Sequence, residues 1–149
     1  MKSYLIWCKY SNMDKQSTNL SDPQIKNLFD GKNFAFLSTL MKDGAPQVTP
    51  VWIDIEDGNI LVNTALGRVK HRNVSRDPRV ALSIIDQNNQ YDMVTIRGEV
   101  TEQITGDKAE KHIDKLAKKY IGKDKYPWRS KTEKRVILKI KPGKVFRMN

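Results

Sequence analysis

The sequence predicts a mainly β (α+β) domain, a small six-stranded antiparallel barrel with flanking helices. Three observations carry this. Strand-like runs follow one another through short turns, with Asp43-Gly44 and Asp57-Gly58 at two of them; consecutive runs of this kind pair antiparallel and disfavour βαβ winding. Long amphipathic helical periodicity is confined to two stretches, one near each end. The length, 149 residues, suits one domain with one core.

Taken in order, "LSDPQIKNLFDGK" opens with a helix signal. Ser21 can cap, Pro23 fits the first turn, Ile25, Leu28 and Phe29 share a face, and Gly31 ends it. "NFAFLSTLM" is apolar and of strand length. "QVTPVWIDIE" alternates and carries Pro50, which cannot donate to a ladder, so an edge segment or bulge is expected there. "ILVNTA" completes a meander of three strands. A short helix is expected from 69 to 75, stopped by Asp77-Pro78, with "RVALSIID" as strand four. "YDMVTIRGEVTEQIT" is a long fifth strand. Gly98 at its middle predicts a bulge or the close approach of another backbone. "GDKAEKHIDKLAKKYIG" is the clearest helix, with Asp107 as cap, an apolar stripe of Ala109, Ile113, Leu116, Ala117 and Tyr120, and Gly122 as the stop. After a polar connection with Tyr126 and Trp128, "RVILKIKPGKVFRM" is the last strand, with a break expected at Pro142-Gly143.

The chain has 27 Lys and Arg against 17 Asp and Glu, a net charge of +10. The excess favours anionic partners, although lysine also serves solubility. One cysteine excludes an internal disulfide, and two distant histidines give no metal-site spacing, so no metal is expected. The opening "MKSYLIWCKY" has four consecutive apolar-type residues, Tyr4 to Trp7, too few for a signal-peptide core or a membrane span. The expected location is cytoplasmic. Residues 1–20 are expected to be a flexible extension, with Met13 as an alternative start, and 21–149 a single domain.

Arg68, Lys70, Arg72, Arg76 and Arg79 crowd into twelve positions at a strand-to-helix junction. A helix start offers unpaired amides and partial positive charge, so arginine and lysine there can make a phosphate site. Thr64 and Gly67 would let a phosphate approach the backbone, and Asn73, three on from Lys70, can face the same ligand. A solvated basic helix face is the competing reading. Nucleic acid and membrane fit less well. Aromatics are sparse at 8% and absent from 63–86, whereas single-strand binders need stacking platforms. The basic helix at 107–121 has only a narrow apolar stripe. No nucleophile–base constellation stands out, so catalytic residues stay unassigned, and a cofactor would have to carry any chemistry.

The run Gly67-Arg68-x-Lys70-x-Arg72-Asn73 followed by Asp77-Pro78-Arg79-Val80, with "NFAFLSTLMKDGAPQVTPVWIDIEDGNILVNTA" before it and "YDMVTIRGEVTE" after it, resembles the pyridoxamine 5'-phosphate oxidase-like split-barrel superfamily over residues 22–148. Within it the chain looks most like the branch of deazaflavin-dependent reductases that use coenzyme F420. The resemblance implies a six-stranded split β-barrel of the FMN-binding type, forming a homodimer with two cofactor sites at the subunit interface, and hydride transfer between coenzyme F420 or FMN and a small-molecule substrate. By this likeness Arg68 and Lys70 would hold the cofactor phosphate, Thr64 and Asn73 would assist, and Pro50, Val51 and Trp52 would lie along the ring system. Trp128 and Arg129 are candidates to complete the site from the partner chain. Arg72 and Arg76, added to Arg68 and Lys70, suit the polyanionic tail of F420 better than the single phosphate of FMN. A non-catalytic FMN- or F420-binding protein of the same fold, or a basic barrel binding nucleic acid, are the alternatives.

Overall fold

A computed structural model describes residues 19–148. The expected start at Met13 and the segment 1–12 lie outside the described residues. Of the expected extension, Asn19 and Leu20 are described, and Leu20 is buried against the core.

Among the described residues, three helices and seven strands follow in the order α1 (Pro23–Asp30), β1 (Ala35–Leu40), β2 (Pro46–Val51), β3 (Ile53–Glu56), β4 (Asn59–Ala65), α2 (Val69–Arg76), β5 (Arg79–Ile85), β6 (Met93–Thr105), α3 (Asp107–Ile121) and β7 (Arg135–Met148). The strands form one antiparallel sheet in the order β2-β1-β5-β6-β7-β4-β3. Its two edge strands, β2 and β3, are neighbours in sequence with Trp52 alone between them. An edge strand can continue directly into the opposite edge only if the sheet curls round on itself, so this junction defines the seam of the half-barrel.

The count of seven corrects the expected six. "QVTPVWIDIE" is two strands because its first half pairs with β1 and its second half with β4. Pro50 lies in the edge strand β2, opposite Phe36, where its missing N–H leaves no inner ladder bond open. Two helix starts also differ from expectation. Asp22, not Ser21, is the N-cap of α1, its side chain accepting from Gln24 N at 2.9 Å. Gly106, not Asp107, occupies the N-cap of α3, and Asp107 sits in the first turn, where its charge still favours the helix dipole.

The barrel interior is filled by Ile25, Leu28 and Phe29 of α1, and by inward residues such as Leu37, Ile53, Val62, Leu82, Ile96 and Leu138. Helix α3 covers the outside of β4, β6 and β7 with Ala109 against Leu61 and Ile137. Strand β4 and the first half of β7 are therefore buried on both faces, which is why they read as nearly continuous apolar runs, whereas the second half of β6 stays largely exposed. The long strand β6 carries register shifts at Arg97/Gly98 and Val100/Glu102. Strand β7 runs unbroken through Pro142-Gly143, the proline standing opposite the Gly98 irregularity.

The seam is clamped from α3. Tyr120 Oη donates to Asn33 O at 2.8 Å and accepts from Ile53 N at 3.2 Å, and its ring stacks on Trp52 at 5.2 Å and 5°. Lys119 Nζ meets the carbonyls of Phe29 and Ile53. Burial pushes the Tyr120 phenol up from 10.0 to about 12. A neutral phenol is thus favoured by the fold, and its contribution is complete below pH 10 and lost as pH rises towards about 12. Urea denaturation across that range is expected to show wild-type stability falling, with the slope reduced in Tyr120→Phe. An identical pH slope in both proteins would contradict the clamp.

Candidate functional site

One groove opens beside the seam, with a volume of about 180 Å³. Its walls come from the Pro50–Trp52 junction, the end of β4, the start of α2, Ile113 of α3, Tyr126 and Trp128 of the connection after α3, and Arg135 at the start of β7.

The strand-to-helix junction supplies the charge. Gly67 has φ of +81°, a left-handed turn that an L side chain rarely adopts, and this turn brings α2 back over the groove. Arg68 is the N-cap of α2 and has no side-chain capping bond, so the partial positive helix end adds to its guanidinium. Lys70 is half-buried, and burial, then repulsion from Arg68 and Arg135, lowers its pKa from 10.5. Arg135 is only 5% exposed. Burial lowers its pKa as well, with repulsion from Arg68 contributing. Three cations thus converge on one small space at a cost to the fold.

Two buried polar atoms in this groove have no hydrogen-bond partner among the described residues, Thr64 Oγ1 and Arg135 Nη1. Buried donors without partners are rare because each costs roughly 1–3 kcal/mol. Arg135 is nonetheless firmly posed. Its Nε donates to Asn63 Oδ1 at 2.8 Å, and its guanidinium lies 5.3 Å from the centre of the Tyr126 ring. Asn63 is itself oriented, donating to Ala109 O at 2.8 Å and lying 3.2 Å from His112 Nδ1. His112 Nε2 stands 3.5 Å from Asp54. Burial raises the Asp54 pKa, but the His112 and Lys115 side chains more than offset it and hold the carboxyl well below the usual range.

The other wall is aromatic. Trp52 meets Tyr126 edge-on at 6.1 Å, and Tyr126 meets Trp128 edge-on at 5.6 Å. Phe34, tilted against Tyr120 at 5.7 Å, and Trp128 flank the groove at 50% and 64% exposure.

Of the residues expected from sequence, the structure brings together Pro50, Val51, Trp52, Thr64, Arg68, Lys70 and Trp128. Trp128 lines the groove of its own chain. Asn73 is elsewhere: it is buried, donating to Thr39 Oγ1 at 3.0 Å and to Met41 Sδ. Arg129 is committed to Glu110 and Asp114 on α3. Arg72 and Arg76 turn to the carbonyls of Gly67 and Leu40 and do not line the groove. Sequence reasoning missed Arg135, Asn63, Tyr126 and Phe34. For Arg135 a signal existed, an arginine opening a strand so apolar that both its faces had to be covered.

A family model described as pyridoxamine 5'-phosphate oxidase matches residues 21–149. Among solved structures, one named as an F420 reductase is 29% identical, with 80% of this chain and 94% of that chain covered at a TM-score of 0.72. A conserved hypothetical protein of Mycobacterium tuberculosis, Rv2991, is 22% identical over 91% of this chain and 88% of its own, at a TM-score of 0.68. General Stress Protein 26 of Bacillus anthracis is 17% identical over 84% and 91%, at 0.59. The lower identities of the last two speak to shared fold alone.

Proposed function

This chain belongs to the pyridoxamine 5'-phosphate oxidase family, and on that premise we propose that it is an oxidoreductase moving a hydride between coenzyme F420 or FMN and a small organic substrate. The observation that carries the reading is the convergence of Arg68, Lys70 and Arg135 on a groove where two buried polar atoms lack partners. A phosphate or another anionic group of such a coenzyme would supply acceptors for Arg135 Nη1 and relieve the repulsion among the three cations.

The coenzyme ring would supply the hydride chemistry when bound. The chain's own part is to bind, orient and keep water away. Arg68 and Lys70 would grip the phosphate, and Thr64 Oγ1 and Arg135 would fix its approach. The Pro50–Trp52 backbone and the edge-on Trp52 and Tyr126 rings would offer the coenzyme ring an apolar wall. Trp128, exposed at the groove, would add a further aromatic contact.

The groove of one chain, about 180 Å³, is smaller than the ~300–1,000 Å³ that ligand sites usually offer. A missing wall is expected, and a second copy is the natural source. The outward face of β1 and β2 exposes Phe36 at 43% and Val48 at 57%, alongside Pro50 at the groove edge, an apolar strip of the kind that marks an interface. A homodimer with its sites at that interface follows from this reading, and light scattering of the purified protein would register it.

The direct test is fluorescence titration with FMN and with F420. Binding of at least one in the micromolar range is expected. No binding of either at millimolar concentration would overturn the reading.

A further inference from the structure

The Arg68 guanidinium does not face the groove freely. It forms a bidentate pair with Glu133, Nε to Oε1 at 3.1 Å and Nη2 to Oε1 and Oε2 at 2.9 Å each. Glu133 belongs to the connection between α3 and β7, sixty-five residues away in sequence. A carboxylate presents two acceptor oxygens to a guanidinium fork much as a phosphate does. Glu133 therefore stands where a ligand's anion would stand relative to this arginine.

We propose that Glu133 is a placeholder anion, occupying the Arg68 subsite until an incoming phosphate displaces it. The inference rests on the reading of Arg68 as a phosphate-holding residue. The structure offers physical grounds for such a device. Arg68 repels both Lys70 and Arg135, so an unoccupied cluster of three cations would be costly. One carboxylate offsets part of that charge and holds the guanidinium in a fixed pose. Both partners remain partly exposed, at 44% and 36% of their side chains, so water can follow the carboxylate when it leaves and the pair is weak enough to exchange. Trp128 and Tyr126 lie on the same connection, which Lys134 O also ties to Leu66 N at 2.9 Å. Release of Glu133 loosens one of the contacts that hold this connection against the start of α2, so occupancy of the anion subsite and the position of the aromatic wall are coupled.

A placeholder competes with the ligand, whereas a residue that merely shapes the site helps it. The two roles predict opposite signs for Glu133→Gln, which keeps the shape and removes the charge. Calorimetric titration with inorganic pyrophosphate probes the anion subsite alone, with FMN and F420 run beside it. Glu133→Gln is expected to bind pyrophosphate about two- to five-fold more tightly than wild type, the scale of an exposed ion pair. In the Arg68→Ala background the same substitution is expected to change nothing, since no guanidinium remains to be competed for. Unchanged or weaker pyrophosphate binding by Glu133→Gln would overturn the proposal, as would absence of pyrophosphate binding in both proteins. Tighter pyrophosphate binding with no uptake of FMN or F420 would leave the placeholder standing and remove the coenzyme assignment alone.

Discussion

Lys70→Met is expected to make the protein more stable and nearly blind to its ligand. Lys70 is half-buried, its pKa is lowered from 10.5 by burial and by Arg68 and Arg135, and it has no carboxylate partner among the described residues. In the ligand-free chain it is a cost. Methionine keeps the length and removes the charge, so unfolding should become harder by about 1 kcal/mol, the low end for replacing a poorly compensated charge by an apolar side chain. For a chain of this size that is about 2–4 °C in Tm. Because the folded pKa lies below the unfolded one, the penalty is complete at neutral pH and fades as pH rises through the lowered value towards 10.5. The stability gap between variant and wild type should narrow accordingly in alkaline solution. Ligand binding should move the other way. Losing one charge-assisted contact costs roughly 1.5–3 kcal/mol, or about 10- to 150-fold in Kd for FMN or F420. Thermal unfolding and fluorescence titration on the same preparation check both halves. A destabilised variant, or one that binds as well as wild type, would remove Lys70 from the site.

Gly98→Ala is expected to produce the largest loss of stability from a single added methyl group. A Cβ at position 98 would stand 2.4 Å from Lys141 O and 3.2 Å from Ile140 Cγ2. The nearer atom belongs to the backbone of the neighbouring strand, so a rotamer change cannot relieve the clash. Strands β6 and β7 must separate at the point where the ladder already shifts register between Arg97 and Gly98. Overpacking of this kind costs roughly 1–3 kcal/mol, and more where backbone has to move. Urea unfolding reads the loss directly. Stability within about 0.5 kcal/mol of wild type, the range of an ordinary surface substitution, would mean that the two strands are not held so closely.

Much of this was legible in the chain itself. Turn chemistry at Asp43-Gly44 and Asp57-Gly58, the Gly98 irregularity and the α3 stripe were readable because each is a local event with a local cause. The seam was not. Nothing in "QVTPVWIDIE" says that its halves pair at opposite ends of a sheet, because closure is decided by strands far away in sequence. Arg68 and Lys70 were legible as a cluster at a helix start. Asn73 was misplaced because spacing tells which residues share a helix face but not which face packs. Here the Asn73–Val74 side of α2 lies against the barrel, and Asn73 spends its amide on Thr39. Arg129 is drawn to Glu110 and Asp114 because the connection folds back along α3, a path that composition does not encode. Arg135 escaped notice because strand β7 reads as core. Its role emerges only once Asn63, Tyr126 and the unpartnered Nη1 are seen around it.

On the proposed function, the cations of the groove recognise the phosphate end of a redox coenzyme. The most direct measurement compares FMN with riboflavin, which has the same ring and no phosphate, in wild type and in Arg68→Ala. Wild type is expected to bind FMN at least tenfold more tightly, the equivalent of about 1.4 kcal/mol, and the preference is expected to collapse in the variant. Equal affinity for the two flavins in wild type, or a preference that survives the loss of Arg68 undiminished, would contradict it.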